Sequence, residues 1–343
     1  MQSVHNPSPT KPNQNSPRHP RPLGGDTARQ TRLSAVLDLS TQVLNNAPDS
    51  QSLIMRRKPS WIRAQIPSGE GYRTIRQNME THGLHTVCQE ASCPNIGDCW
   101  SRGTATIMIL GDTCTRSCGF CNVKTGKPAP PDYDEPKKVG KSVSLMELRH
   151  IVVTCVDRDD LPDGGAAIWA ETIAEVHAQA PNTTVEALIG DFQGSEQDLR
   201  TVIESQPEIL AHNLETVPRM HSAVRPQATY DRSMQVLTRI QDSGLVSKTG
   251  IMVGIGETDE EVLVMLADIR EKSKTEIITI GQYLQPSRNH LPIDRWVHPD
   301  QFAVYKEKGL EFGFRVVESG PLVRSSYHAE EQVREFKLKQ NAE

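Results

Sequence analysis

Residues 104–128 read TATIMILGDTCTRSCGFCNVKTGKP: an apolar, β-branched run ending at Leu110, then a loop with three cysteines inside eight residues. The run has the composition of a buried strand. Cys114, Cys118 and Cys121 follow with three and then two residues between them, and no fourth cysteine joins them. Three residues of extended chain reach about 10 Å. Thiolates at this spacing can therefore take three corners of a 4Fe–4S cube and leave its fourth iron open. Structural zinc is the plainer alternative, but it asks for four ligands.

The strand and loop open a repeating pattern. Further strand-like runs are HIVVTCV, TVEALIG, EILAHNL, KTGIMVG and EIITIGQY. Between most of them lie helical patterns, among them AAIWAETIAEVHAQA, SEQDLRTVIESQ and DEEVLVMLADIREKS. The last opens at Thr258-Asp259 with Glu260 and Glu261 in its first turn, where carboxylates suit a helix N-terminus. Six strand-then-helix units imply parallel strands with right-handed crossovers. They fit an open doubly wound sheet or an incomplete barrel, and in both the chemistry sits at the C-terminal ends of the strands. The cysteine loop lies at such an end.

Composition narrows the classes. The chain has 343 residues and a net charge of −5, with no basic footprint for nucleic acid. No apolar run approaches the roughly 18 residues of a membrane span, and there is no signal-peptide core, so a soluble cytoplasmic protein is expected. Residues 1–28, rich in Pro, Asn, Ser and Arg, cannot bury a core and are expected to be disordered. Their Arg-rich, acid-poor character also keeps an organelle address open. Residues 31–46 carry one weak helical pattern. Six of the seven cysteines lie between Cys88 and Cys121, a crowding that suits metal better than disulfides.

A second triplet, Cys88, Cys93 and Cys99, stands in CQEASCPNIGDCW. Alone it reads as zinc held by these three thiolates plus His85 or His82.

The loop Cys114-x3-Cys118-x2-Cys121, with Phe120 before its last cysteine, resembles the signature of the radical S-adenosylmethionine (SAM) superfamily. Paired with the upstream triplet, it resembles the lipoyl synthase family. The likeness runs from about residue 60 to about residue 330, through CPNIGDCW, VDRDDLPDGGA, HNLETV, GIMVGIGET, TIGQYLQPS and GPLVRSSYHA. It implies an incomplete (β/α)6 TIM-type barrel of the radical SAM kind. It also implies a radical SAM sulfurtransferase, inserting two sulfur atoms at C6 and C8 of a protein-bound octanoyl-lysine. Two 4Fe–4S clusters and SAM come with that reading. Cys114, Cys118 and Cys121 would hold the SAM-binding cluster. Cys88, Cys93, Cys99 and Ser326, of Arg324-Ser325-Ser326-Tyr327, would hold an auxiliary cluster consumed as the sulfur source. An octanoylated lipoyl carrier domain or glycine-cleavage carrier protein is the implied substrate, with a ferredoxin- or flavodoxin-type electron donor.

Further residues follow from the resemblance. Gly250, Gly254 and Glu257 match a loose superfamily pattern at a strand end, where glycine lets backbone approach SAM. Asn213 and Glu215 resemble a pair that contacts the SAM ribose in sulfur-inserting relatives; Asn213 alone reads as an Asx turn. Asp157, Arg158, Asp159 and Asp160 could hold the SAM amino group, while Asp163 reads equally as a helix cap. His212 reads as a core histidine. Cys155 and Gly190 stand where the family more often has serine and proline, and Cys155 reads as a small buried hydrophobe. Lys137, Lys138 and Lys141 read as a basic loop, solvated or receiving an acidic carrier.

The expected organisation is a tail at 1–50, an extension with auxiliary-cluster cysteines at 51–103, the partial barrel at 104–315, and a C-terminal extension with the serine ligand at 316–343. A biotin-synthase-like enzyme acting on a free small molecule would lack the upstream triplet and the Arg-Ser-Ser-Tyr segment. A non-catalytic cluster carrier would not need six βα units.

Overall fold

The computed structural model describes residues 58–63, 72–73, 75–77, 81, 85–86, 93, 95–101 and 104–340. The tail at 1–50, the helical pattern at 31–46, His82 and Cys88 lie outside the described residues.

Strand β1 (His85–Thr86) and helix α1 (Ile96–Ser101) precede β2 (Thr104–Ile109). Beyond β2, the short β3 (Thr113–Cys114) and β4 (Lys124–Thr125) pair in parallel within the cysteine loop. The alternation then continues with α2 (Glu135–Met146), β5 (His150–Cys155), α3 (Ala166–Gln179), β6 (Thr184–Leu188), α4 (Glu196–Glu204) and β7 (Ile209–Ala211). The short α5 (His221–Val224) and α6 (Tyr230–Asp242) lead to β8 (Val246–Val253), α7 (Asp259–Lys272), β9 (Ile277–Gln282) and α8 (Pro299–Glu311). Strand β10 (Val316–Gly320) and helix α9 (Ala329–Gln340) complete it.

The main sheet runs β1-β2-β5-β6-β7-β8-β9-β10 and does not close on itself. From β2 to β10 every pairing is parallel; β1 lies antiparallel on β2, with His85 opposite Met108. This is the incomplete barrel with one parallel strand more than the six anticipated, because VVESG at β10 is short and only its first two residues are buried. A second difference is that Lys137, Lys138 and Lys141 stand exposed on α2 and not in a loop. Pro136 in the first turn, where its missing N–H costs nothing, lets the helix begin there.

Side-chain alternation explains the layers. Ile151 and Val153 of β5 join Val139 and Val143 of α2 and Trp169, Ile173 and Val176 of α3 in one buried cluster. Ile251, Val253, Ile278 and Ile280 of β8 and β9 pack on Val262, Met265, Leu266 and Ile269 of α7. Period 2 on the strands and period 3.6 on the helices place these residues on facing surfaces. Helix α7 starts from a capping box in which Thr258 and Glu261 satisfy each other's backbone amides. Asp163 accepts from the amides of Gly165 and Ala167 at the start of α3. His212 is buried between the Ile189 carbonyl and the Ser233 hydroxyl, 2.9 Å from each. Burial holds its ring near a pKa of about 4, so it stays neutral.

Helix α9 lays Val333 and Phe336 on Ile209, Ile277 and Val316, the first residues of β7, β9 and β10. Deeper in the sheet, Lys248 of β8 donates to Glu186 of β6 at 2.8 Å, with both side chains fully buried and His150 3.8 Å from the same carboxylate oxygen. Removing one partner strands a buried charge. Glu186→Ala should therefore cost about 3–5 kcal/mol in chemical denaturation, and Glu186→Leu combined with Lys248→Met should recover most of it. Among the described residues no helix is long and apolar enough to cross a membrane.

Candidate functional site

The cysteine loop leaves the C-terminal end of β2 through Leu110, whose backbone is left-handed (φ 69°) and whose amide donates to the buried Glu135 carboxylate at 2.7 Å. Cys114, on β3, has its sulfur against the amides of Asp157 and Arg116, at 3.3 and 3.4 Å. Cys118 and Cys121 form one turn, the Cys121 amide donating to the Cys118 carbonyl. Outer contacts clamp that turn. The Gly119 amide reaches the Val224 carbonyl, the Leu291 amide reaches the Gly119 carbonyl, and His290 lies 2.9 Å from the Cys121 carbonyl.

All three thiols are half-buried and none is in a disulfide. Burial pushes Cys114 up to about 11, helped by the Asp157 carboxylate, and Cys118 up to about 12. It raises Cys121 as well. Buried thiols that resist ionisation alone become good ligands once a bound cation replaces the proton. Among the described residues, no three His, Cys, Asp or Glu side chains converge to hold a single metal ion. A four-iron cube does not ask for convergence, because each thiolate takes a different corner.

Beside the cysteines lies a polar cradle. After β7, Glu215 adopts a left-handed backbone (φ 69°), while its amide donates to Gly250 and its carbonyl accepts from Met252 of β8. Asn213 donates to the Glu215 carboxylate at 3.1 Å, but its own buried side-chain oxygen has no hydrogen-bond partner among the described residues. A Cβ on Gly250 would stand 2.8 Å from that oxygen, so only glycine leaves the cradle open. Burial raises the Glu215 carboxyl, against the opposing charge of Arg225. Arg225, nearly buried, donates to the Asn213 carbonyl at 2.8 Å and opposes the rise of the Cys118 thiol. An orphaned acceptor, an absent side chain and a buried cation beside Cys118 fit a ligand with hydroxyl and carboxylate groups, as SAM has.

Glu257 is placed differently. Its two oxygens accept from the amides of Gly254 and Ile255 at 2.6 and 3.0 Å, and Arg295 lies 3.2 Å away. It orders the loop at Gly254, whose φ of 88° suits glycine.

The charged run after β5 divides its roles. Arg158 holds Asp160 with two bonds of 2.9 Å and reaches the Leu110 and Ala129 carbonyls. Asp159 is taken by Arg116. Asp157 faces the Cys114 sulfur at 4.0 Å and lines a small cavity with Cys155, Gly190 and Phe192. A Cβ on Gly190 would collide with the Asp157 carboxylate, so glycine makes that carboxylate's place. Cys155, partly buried, packs with the cluster of Trp169.

The segment with Cys93 and Cys99 meets residues 322–328. Cys93 precedes α1 and Cys99 is buried within it. Asn95 donates to the Leu322 carbonyl at 2.6 Å, and Asp98 pairs with His328 at 3.1 Å. Tyr327 stacks on His328 and borders the same core cluster as Cys93 and Cys114. Burial raises the Cys93 thiol, opposed by the charge of Arg324. Among the described residues no carboxylate pairs with Arg324, whose guanidinium donates to the Val323 carbonyl. Half-buried Ser326 lies two residues on. A cation with no carboxylate partner among the described residues, beside the half-buried Cys93 thiol, fits an anionic group held there.

Arg116, Arg225 and Asp191 were not singled out in the sequence. Arg116 had a signal, standing between two cysteines of the loop; Asp191 follows a strand end.

Comparison with known proteins gives two family matches: the radical SAM superfamily over residues 108–269, and the N-terminal domain of lipoyl synthase over residues 33–93. A lipoyl synthase of Christiangramia forsetii is 51% identical over 288 residues, 84% of this chain and 98% of that protein. A mitochondrial lipoyl synthase of Nematostella vectensis is 52% identical over 80% of this chain and 95% of that protein. Among solved structures, HydG, a maturase of the FeFe-hydrogenase, superposes with a TM-score of 0.51 over 91% of this chain and 70% of that one, at 12% identity. That likeness concerns the fold alone.

Proposed function

This chain belongs to the lipoyl synthase family of radical SAM enzymes, and from that premise we propose how its residues divide the work of inserting two sulfur atoms at C6 and C8 of a protein-bound octanoyl-lysine. The observation that carries the reading is the half-buried thiol trio at the end of β2 beside the open Asn213–Gly250 cradle.

Cys114, Cys118 and Cys121 hold the 4Fe–4S cluster implied by the superfamily. Asn213 offers its free oxygen to the SAM ribose, Arg225 offers its charge to the carboxylate, and Asp157 faces the amino group. With a cluster and SAM bound there, the chemistry supplied would be abstraction of hydrogen from an unactivated methylene.

An auxiliary cluster held by Cys88, Cys93, Cys99 and Ser326 is the proposed sulfur source. Its support is the meeting of the 93–99 and 322–328 segments and the charge of Arg324 beside Cys93. Holding sulfur beside the substrate gives the proximity that an insertion into carbon requires. The substrate is an octanoylated lipoyl domain or glycine-cleavage carrier, the electron donor a ferredoxin or flavodoxin, and the location cytoplasmic.

Anaerobic incubation with an octanoylated carrier peptide, SAM and a reductant, read by mass, tests the activity. Metal analysis tests the cluster count. Reconstituted protein should hold about eight irons per chain. Four irons with stoichiometric zinc would remove the auxiliary cluster from the proposal.

A further inference from the structure

The cysteine loop has an anchor that is neither a ligand nor a SAM contact. Arg116, 3% exposed, lies between Cys114 and Cys118. Its Nε and Nη2 donate to the two oxygens of Asp159 at 2.8 Å each, and Nη2 also donates to Asp191 at 2.6 Å. Nη1 lies 3.7 Å from Asp157. The other oxygen of Asp191 is held by Arg232 of α6 at 3.3 Å. One guanidinium thus ties the loop to the C-terminal ends of two strands and, through Asp191, to a helix.

The neighbouring residue repeats the tie. The Thr115 amide and hydroxyl both donate to the Asp157 carbonyl, and the Asp159 amide donates back to the Thr115 hydroxyl. These contacts fix the backbone between the first two cysteines without help from iron.

We propose that Arg116 is a positioning residue that shapes the cysteine loop before metal arrives, so that the loop receives its cluster ready-made. A planar fork matched to a carboxylate fixes direction as well as charge. Lysine in its place supplies the charge alone. The inference rests on Cys114, Cys118 and Cys121 being cluster ligands, and its test separates the two claims.

The experiment is amide hydrogen exchange on metal-free full-length protein, followed by timed iron and sulfide loading. In the metal-free wild type, the amides of Thr115, Gly119 and Cys121 should be protected. Arg116→Lys retains the buried charge that the carboxylates need, and it should exchange at least tenfold faster at those amides with the barrel strands unchanged. Its loading of the SAM-binding cluster should slow about tenfold, while the auxiliary irons load normally. Should Arg116→Lys not fold, Asp159→Asn removes the other half of the fork and carries the same expectation. Wild-type protection of the loop in these variants, or a loss spread evenly over the strands, would overturn the proposal. The wild type's iron content tests the ligand assignment without reference to Arg116.

Discussion

Cys118→Ala should abolish reductive cleavage of SAM, whereas Cys93→Ala should still yield 5′-deoxyadenosine and make no sulfur-inserted product. The two thiols belong to different parts of the molecule. Cys118 sits in the turn clamped by Val224 and Leu291 beside Arg225 and Glu215; Cys93 sits before α1 with Arg324. Losing one of three ligands on a cluster already short of a fourth leaves two, too few to keep the cube in place. Both products are counted in one anaerobic assay, by chromatography for the nucleoside and by mass for the peptide. If both variants retain cleavage, or both lose it while still folded, the division of labour is wrong.

Ser326→Ala gives the second large effect. Three thiolates remain, so about eight irons should still assemble and 5′-deoxyadenosine should still form. The segment itself stays seated, because Asn95 holds Leu322 and Asp98 holds His328 without using Ser326. Sulfur transfer should nonetheless stall at or before the first insertion, because in the proposed assignment one iron of the auxiliary cluster would lose its oxygen ligand. Ser325→Ala, one residue away, should keep most turnover. Lipoyl product from Ser326→Ala at the wild-type rate would take Ser326 out of the site.

Strand runs and helical periods were legible wherever both faces of an element were committed. TATIMI is buried along its whole length and reads as a strand at once. VVESG is half-exposed beyond Val317 and reads as nothing in particular, so the seventh parallel strand was visible only in the structure. The cysteine spacing is local chemistry and survives as pattern. What closes the site is not local. Arg116 finds its carboxylates 43 and 75 residues away, and Asp98 meets His328 across 230. A lone arginine in sequence has no sign of being buried until those partners arrive. Glu257 shows the reverse: its motif position suggests a ligand contact, yet its oxygens hold the Gly254 and Ile255 amides.

The two-residue strand β1 lies along the outer side of β2, opposite Ile107 and Met108. Without it, β2 would present a bare row of amides and carbonyls on an apolar strand, a template on which other copies could stack. The extension that carries the upstream cysteines is therefore also a guard against aggregation. A polypeptide beginning at Thr104 should keep the three cysteines of the loop yet collect in inclusion bodies, and a soluble product would show that β1 plays no such part.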